Sequence, residues 1–227
     1  MLCGLEHIHA HGIAHRDIKA DNVVLENNGN GEGVLRAAIT DFGIARQVHN
    51  RGPSDLCGTL AYIAPEVLNA KSRSTCDLLA ADMWAMGITV CAIVNRYLPY
   101  DAKTPAKLLE CIKRRGRNMR TSNTTGAPLS KALLALIDGL LERDPSKRLT
   151  ACSALKSAWF ATNEQQNGSN QEAAECDTSL AQIEEDGGHD DSDHKPPLVL
   201  ASTDGTMRKD EHAVLLRAIR HPSIVIA

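Results

Sequence analysis

The spacing of hydrophobic residues changes along the chain and predicts a small β-hairpin followed by a mainly helical body. A short helical segment is expected to end near His11-Gly12. Two strands at residues 22–25 and 34–39 flank an asparagine- and glycine-rich segment at residues 27–31, a composition typical of hairpin turns. The sequence then predicts a loop that continues to about residue 63.

Beyond residue 63 the hydrophobic pattern is that of helices. Pro65 is predicted to open a short helix, because proline suits the first helical turn. Residues 79–94 are apolar nearly all round and predict a buried central helix. The longest uncharged apolar run, residues 83–94, is too short to span a bilayer, so no membrane association is expected. Residues 104–115, 130–142 and 150–157 predict amphipathic helices.

A change in composition near residue 161 divides the chain into three predicted parts. Residues 1–161 carry the alternating apolar runs of a folded domain. Residues 162–196 are acidic and poor in large apolar side chains, and such a segment cannot bury enough surface to offset its ordering entropy. They predict a disordered linker. Residues 197–227 are apolar again at both ends and predict a short helix and strand.

Charge and cysteine content narrow the class of protein. The formal net charge is -3, whereas a nucleic-acid-binding domain would usually be basic, so no nucleic-acid partner is expected. The number of cysteines, seven, is odd, and no two of them form a C-x-x-C pair. This usage is typical of reduced thiols and predicts a cytoplasmic or nuclear protein. No signal peptide is recognisable after Met1.

Three motifs in the first part carry polar residues next to predicted strands. The first, just before a strand, is residues 15–22 (HRDIKADN). Nineteen residues after Asn22, just past the next strand, come residues 41–43 (DFG). The third is residues 58–66 (GTLAYIAPE). Each residue alone has an ordinary interpretation as a turn or cap, but the ordered set is highly specific.

This set resembles the catalytic loop, the magnesium-binding motif and the end of the activation segment in eukaryotic protein kinases. Lys19 and Thr59 are similar to the residues found in the serine/threonine type rather than the tyrosine type. The resemblance covers residues 1 to about 161. It implies a protein-kinase-like fold, namely a mainly α-helical C-terminal lobe with a small β-hairpin, and the N-terminal lobe is expected to be absent.

The resemblance implies transfer of the γ-phosphoryl group of ATP to serine or threonine hydroxyls of protein substrates, with Mg²⁺. It assigns Asp17 to orient and deprotonate the acceptor hydroxyl. Lys19 would steady the transferring phosphoryl group as a point charge and so contact ATP. Asn22 and Asp41 would supply the hard oxygen ligands that a metal ion on the phosphates requires.

Further positions match residues that organise the site in this family. His15 and Phe42 resemble members of the packed stack that orders it. Asp82 resembles the acidic residue of the central helix that holds the catalytic-loop backbone. Arg148 resembles the buried arginine that pairs with the glutamate of the third motif, here Glu66. Such a pair mainly fixes geometry.

The activation segment contains a candidate regulatory site. The resemblance implies that Arg16 needs an anion from this segment, which Arg46 could share. Many relatives carry a phosphorylated threonine where this chain has Asp55, with Ser54 beside it. Either Asp55 supplies a weaker built-in charge or Ser54 is phosphorylated. An exposed loop without regulatory function is the alternative.

The sequence departs from the family pattern in one large respect. An N-terminal lobe, which would cover the phosphates, must come from sequence outside this chain or in trans, so the isolated chain is expected to be weakly active or inactive. Residues 215–225 resemble part of such a lobe, and residues 197–227 could start a second one or form an ordinary helix and strand. A catalytically dead C-terminal lobe that acts as a protein-binding scaffold or decoy is the alternative function.

Overall fold

The computed structural model of the chain describes residues 1–27, 35–48, 55–69, 71, 75–114, 128–164 and 198–199. The predicted linker beyond residue 164, Ser54 and nearly all of residues 197–227 lie outside these ranges. About half of the described chain is helical, and the strands form two small sheets. This composition fits a protein-kinase-like fold.

The structure has seven α-helices in its described residues, and side chains cap the start of some of them. Helix α1 is Leu2–Ala10 and helix α2 is Pro65–Leu68, with the proline in the first turn. Helix α3 is Leu78–Asn95, where Oδ1 of Asp77 accepts hydrogen bonds from the backbone N–H groups of Leu79 and Ala80. The remaining helices are α4 Pro105–Arg114, α5 Lys131–Leu140, α6 Ala151–Leu155 and α7 Ala158–Glu164.

Helix α3 forms the centre of the core, as its uniformly apolar sequence predicts. Trp84, Ile88 and Ile93 on this helix have no exposed surface, and α5 packs against it. Within the described residues, α3 has the length and the mean hydropathy (1.6) of a membrane span, but 72% of it is buried inside the protein. Its apolar surface is therefore used in packing the domain.

The strands form two antiparallel sheets. Strand β1 (Ile13–Ala14) pairs with β4 (Arg46–Gln47). Strand β2 (Val23–Asn27) pairs with β3 (Leu35–Ile39), in the register Val23 to Ile39. Strand β5 (Leu198–Val199) pairs with the other edge of β2, which gives the strand order β3-β2-β5.

The structure corrects the sequence-based elements at four places. Asn22 ends a 3₁₀ turn, Ala20–Asn22, rather than beginning a strand. The predicted loop before residue 63 contains β4 and a second 3₁₀ turn, Leu60–Tyr62. The last predicted helix, at residues 150–157, corresponds to α6, and a further helix that the sequence did not predict, α7, follows it and extends to Glu164, past residue 162. Strand β5 joins the predicted hairpin and makes it a three-stranded sheet.

Candidate active site

Asp17 lies in the loop between β1 and β2, and three residues hold its carboxylate by hydrogen bonds. Oδ1 accepts from the backbone N–H of Thr59 at 2.9 Å and from its hydroxyl at 2.8 Å. Oδ2 accepts from Nζ of Lys19 at 2.8 Å and from Nδ2 of Asn22 at 3.1 Å. Lys19 also donates to Oγ1 of Thr59 at 2.9 Å. The fold thus brings the first and third motifs into one cluster.

The pKa of Asp17 lies below its ordinary value. Burial acts in the opposite direction and is the largest single influence, but the hydrogen bonds from Lys19 and Thr59, together with the Lys19 charge, outweigh it. Asp17 is therefore ionised at neutral pH. Its contribution to stability is present above the unfolded pKa and is lost as the pH falls through the folded pKa. The ionised carboxylate can accept a hydrogen bond from a hydroxyl group.

The hairpin of β2 and β3 positions Asn22 and Asp41. Nδ2 of Asn22 donates to the backbone carbonyl of Asp17 at 2.8 Å, so the amide oxygen is the atom of this side chain that Asp17 does not engage. The N–H of Thr40 donates to the backbone carbonyl of Asn22 at 2.9 Å and closes this end of the hairpin. Asp41 follows directly and is exposed. Both side chains therefore stand at the same end of the hairpin.

The donor set at this end of the hairpin fits a magnesium ion that arrives with phosphate. A carboxylate and an amide oxygen are hard ligands, and Mg²⁺ is usually held by one or two carboxylates plus phosphates rather than by a cage of protein groups. In the described part of the chain, no group of three or more His, Cys, Asp and Glu residues is arranged to hold a metal. Asn22 and Asp41 are the residues that would hold such an ion.

His15 and Phe42 connect the catalytic-loop segment to the second motif. Their rings meet edge to face, with 4.8 Å between centroids, and His15 is fully buried. Nε2 of His15 lies 3.0 Å from the carbonyl of Thr40, and Nδ1 lies 3.3 Å from the backbone N–H of Asp17. These contacts suit a neutral imidazole that donates through Nε2 and accepts through Nδ1. The packing aligns the backbones that carry Asp17 and Asp41.

Asp82 on α3 fixes the backbone just before Asp17. Its carboxylate is 1% exposed and accepts from the N–H of His15 at 2.7 Å and from the N–H of Arg16 at 2.8 Å. Arg16 has φ of 72°, a left-handed conformation that non-glycine residues adopt only when their surroundings impose it. Asp82 therefore holds the catalytic-loop backbone in a strained conformation.

His9 on α1 also belongs to this group, although it lies outside the three sequence motifs. Nε2 of His9 lies 3.0 Å from Oδ2 of Asp82, and its side chain is 10% exposed. A carboxylate only accepts, so Nε2 carries the proton. His9 thus supplies a third hydrogen bond to the Asp82 carboxylate, which is buried and requires hydrogen-bond donors in place of water. Helix α1 carries His7 and His9, and His11 follows its last residue, so nothing in the spacing marks His9.

Gly58 is a second residue whose importance appears only in three dimensions. Its φ is 87°, and a Cβ atom there would lie 2.5 Å from the backbone oxygen of Arg16 and 3.5 Å from Oδ1 of Asp17. Any side chain would force the activation segment away from the catalytic loop. The hydrogen bonds between Thr59 and Asp17 depend on this close approach.

Arg148 and Glu66 form a bidentate ion pair beneath the activation segment. Nη1 of Arg148 lies 2.7 Å from Oε1 of Glu66, and Nη2 lies 3.0 Å from Oε2. The side chains are 0% and 9% exposed. Arg148 also donates to the carbonyl of Ala80 at 2.6 Å and of Glu142 at 2.8 Å, and its guanidinium lies 5.2 Å from the ring centre of Trp84. This pair joins α2 to α3 and to the loop after α5.

Arg16 reaches the activation segment through backbone groups. Nη1 donates to the carbonyl of Ile44 at 3.4 Å, and Nη2 donates to the carbonyl of Asp55 at 3.3 Å. Arg46 lies in β4 opposite Ala14. Ser54 lies outside the described residues. A role for the Asp55 carboxylate or for phosphorylated Ser54 as the anion at Arg16 stays a prediction.

Comparison with known proteins agrees with the geometry. The sequence profile of the protein kinase domain matches residues 1–160. This chain belongs to the protein kinase family. The kinase domain is 35% identical over 170 residues to serine/threonine-protein kinase RAD53 of Saccharomyces cerevisiae, which covers 70% of this chain and 20% of that protein. It is 30% identical over 162 residues to serine/threonine-protein kinase cds1 of Schizosaccharomyces pombe, covering 70% of this chain and 34% of that protein.

A third relative, serine/threonine-protein kinase 33 of Bos taurus, is 30% identical over 165 residues, which covers 70% of this chain and 33% of that protein. By family, residues 1–160 are therefore a protein kinase domain of the serine/threonine kind, as the sequence predicted. The chain spans about a fifth to a third of the length of these relatives.

Proposed function

We propose that this kinase domain transfers the γ-phosphoryl group of ATP to serine or threonine hydroxyls of protein substrates. The acceptor oxygen forms a bond to the γ-phosphorus, the bond from that phosphorus to the bridging oxygen of ADP breaks, and the hydroxyl proton passes to Asp17. The observation that carries the proposal is the Asp17 carboxylate, held at 2.8 Å by both Thr59 and Lys19 beside Asn22.

Asp17 acts mainly by positioning the acceptor hydroxyl. Its lowered pKa makes it a weak base, and an optimal general base would have a pKa near the working pH. Phosphoryl transfer has a loose transition state in which the nucleophile keeps its proton until late, so orientation contributes more than early deprotonation. Lys19, which already contacts Asp17 and Thr59, would stabilise negative charge on the moving phosphoryl group.

Asn22 and Asp41 would hold Mg²⁺ on the phosphates of ATP. The ion, when bound, would neutralise charge on the phosphate oxygens. Their shared position at one end of the β2–β3 hairpin supports this role, since Thr40 and Asn22 tie the two strand ends together. The rest of the nucleotide site would come from an N-terminal lobe in sequence outside this chain or in trans. We propose weak or no activity for the isolated chain for that reason.

Titration of Mg-ATP into a polypeptide that joins these residues to an N-terminal lobe tests the proposal. We expect saturable binding, and we expect Asp41→Asn to weaken it by roughly tenfold or more, because even outer-shell partners of metal ligands change affinity by that much. Asp21→Asn is the matched control, since Asp21 is exposed and bears the same charge. If the two variants bind Mg-ATP equally well, Asp41 is not a metal ligand.

We further propose that a negative charge near residue 55 sets the position of the activation segment. Arg16 already contacts the backbone of Asp55 and Ile44, so a nearby anion would strengthen a contact that exists. An Asp55→Ala variant with unchanged kinase activity would remove the built-in charge as an explanation. Peptide mass spectrometry that finds Ser54 unmodified in the active protein would remove phosphorylation.

A catalytically dead scaffold or decoy has less support than an enzyme. A lobe that only binds other proteins has no need to keep Asp17, Lys19, Asn22 and Asp41 together. We propose a cytoplasmic or nuclear location, because the odd number of cysteines and the lack of a C-x-x-C pair in the sequence are typical of reduced thiols. We also propose protein substrates, which the family supports, and no nucleic-acid or membrane partner, which the net charge and the short apolar run at residues 83–94 support.

A further inference from the structure

Strand β5, from the C-terminal part of the chain, pairs with the edge of β2 that β3 leaves open. Strand β5 runs antiparallel to β2, with Val199 opposite Val24 and Leu198 opposite Leu25. The other edge of β2 pairs with β3 along its whole length. Residues 198–199 therefore pair with the second edge of the central strand at Val24 and Leu25. We call these two residues the strap.

The local sequence favours a short edge strand at this place. Leu198 and Val199 are an apolar, strand-forming pair, and Pro196-Pro197 comes directly before them. Proline has no backbone N–H, so a β-ladder cannot continue through that dipeptide. The pairing is thereby limited to a short stretch of β2. An exposed strand edge otherwise presents unpaired N–H and C=O groups to other chains.

The strap pairs with β2 close to the candidate metal residues. Val24 is two residues after Asn22, and β3 leads through Thr40 to Asp41. Because Thr40 donates to the backbone carbonyl of Asn22, the spacing of Asn22 and Asp41 depends on the order of this hairpin. A third strand on β2 restricts the motion of the strand that begins next to Asn22.

We propose that residues 198–199 act in cis as a strap that closes the β2 edge and orders the hairpin that carries Asn22 and Asp41. The segment after the acidic linker is then a support for the candidate site of its own kinase domain. This role goes beyond phosphoryl transfer itself and does not depend on it, because the strap acts on the backbone of the hairpin.

The length of the intervening sequence favours the segment of the same chain over that of a second copy. Between Glu164 and Leu198 lie 33 residues. A flexible chain of 33 residues has an average end-to-end distance of about 30 Å. Tethering at such a distance gives an effective concentration in the millimolar range, far above that of separate chains at micromolar concentration. We therefore expect the strap and the β2 strand that it pairs with to belong to the same chain.

Residue-resolved amide exchange in the 227-residue chain tests the strap. Successive N–H groups of a strand point to opposite edges, so of Val24 and Leu25 one faces the strap and the other faces β3. In a Leu198→Pro/Val199→Pro variant, we expect the strap-facing amide to exchange roughly tenfold faster. A change of this size corresponds to the loss of one or two hydrogen bonds. The amide that faces β3 should change less, which distinguishes loss of the strap from unfolding of the hairpin.

The matched control places the same two prolines in the predicted linker, as Ser169→Pro/Asn170→Pro. It should leave the exchange of both amides unchanged. Unchanged exchange of the strap-facing amide in the Leu198→Pro/Val199→Pro variant would overturn the proposal, and so would equal acceleration in both proline variants.

Covalent trapping tests whether the strap acts in cis. Val24 and Val199 are directly opposite, a position at which side chains of antiparallel strands lie close enough for a disulfide in favourable pairs. In a Val24→Cys/Val199→Cys variant under mild oxidation, peptide mapping should find the two introduced cysteines joined within monomers. A disulfide between them that appears only in dimers would show that a second copy supplies the strand, and would overturn the intramolecular strap.

Discussion

Replacing Asp17 by asparagine is expected to lower the turnover number by on the order of a hundredfold or more, in a polypeptide that joins these residues to an N-terminal lobe. The substitution keeps the size of the side chain but removes the charge that accepts hydrogen bonds from Thr59, Lys19 and Asn22. The asparagine side chain has one acceptor oxygen and cannot take a proton from the acceptor hydroxyl. Steady-state phosphorylation of a protein substrate with labelled ATP measures the effect.

Asp21→Asn provides the comparison, because Asp21 lies four residues away in the same segment and is exposed. We expect its turnover number to remain near that of the parent. The Michaelis constant for ATP should change little in Asp17→Asn, since Asp17 is assigned to the acceptor rather than to the nucleotide. Near-normal turnover by Asp17→Asn would refute the catalytic assignment of this residue.

The identities of the site residues could be read from the sequence because they fall in short linear motifs. Asp17, Lys19 and Asn22 lie within six consecutive positions, and Asp41 follows a predicted strand. The contacts that sustain them could not be read in the same way. His9 and Asp82 are 73 positions apart, and two other histidines, His7 and His11, lie two positions to either side of His9. Only the tertiary packing that places His9 of α1 beside Asp82 of α3 decides which histidine meets the carboxylate.

The fold could be predicted where hydrophobic patterns are long, and it could not where elements are short. Helix α3 has 18 residues of nearly continuous apolar sequence, and its observed bounds lie within a residue of the prediction. Strands β1 and β4 have two residues each, too few to show an alternating pattern. Their pairing is set by Gly12, whose φ of 68° allows the turn after α1 and whose carbonyl accepts from Val48 at 2.8 Å.

Replacing Arg148 by methionine is expected to destabilise the domain by about 3–5 kcal/mol, the cost of leaving one partner of a buried ion pair without the other. Glu66 would keep a charge at 9% side-chain exposure, and the carbonyl groups of Ala80 and Glu142 would lose their donor. Methionine preserves much of the apolar volume next to Trp84, so the loss reports on charge and hydrogen bonds more than on packing. Urea denaturation followed by circular dichroism measures the free energy of unfolding.

Arg114→Met is the matched control, because Arg114 pairs with Glu110 on the surface of α4 at 78% side-chain exposure. Exposed pairs of this kind contribute little, so we expect a change within about 0.5 kcal/mol. In a Glu66→Leu/Arg148→Met double variant, no lone charge remains. Its loss of unfolding free energy should therefore be smaller than the sum of the losses in the two single variants, by about 0.5–3 kcal/mol. Equal effects of Arg148→Met and Arg114→Met would show that the buried pair does not hold the fold together.

The position of Glu66 gives this pair a consequence for the candidate active site. Glu66 lies on α2, seven residues after Thr59, and Arg148 ties that helix to α3, which also carries Asp82. Glu66, through Arg148, therefore holds the activation segment against α3, and Asp82 holds the catalytic loop against the same helix. In Arg148→Met, amide exchange at Thr59 should increase before the α3 core opens, because the segment that donates to Asp17 loses its attachment first. Simultaneous exchange at Thr59 and in α3 would mean that the pair stabilises the whole domain without a separate effect on the site.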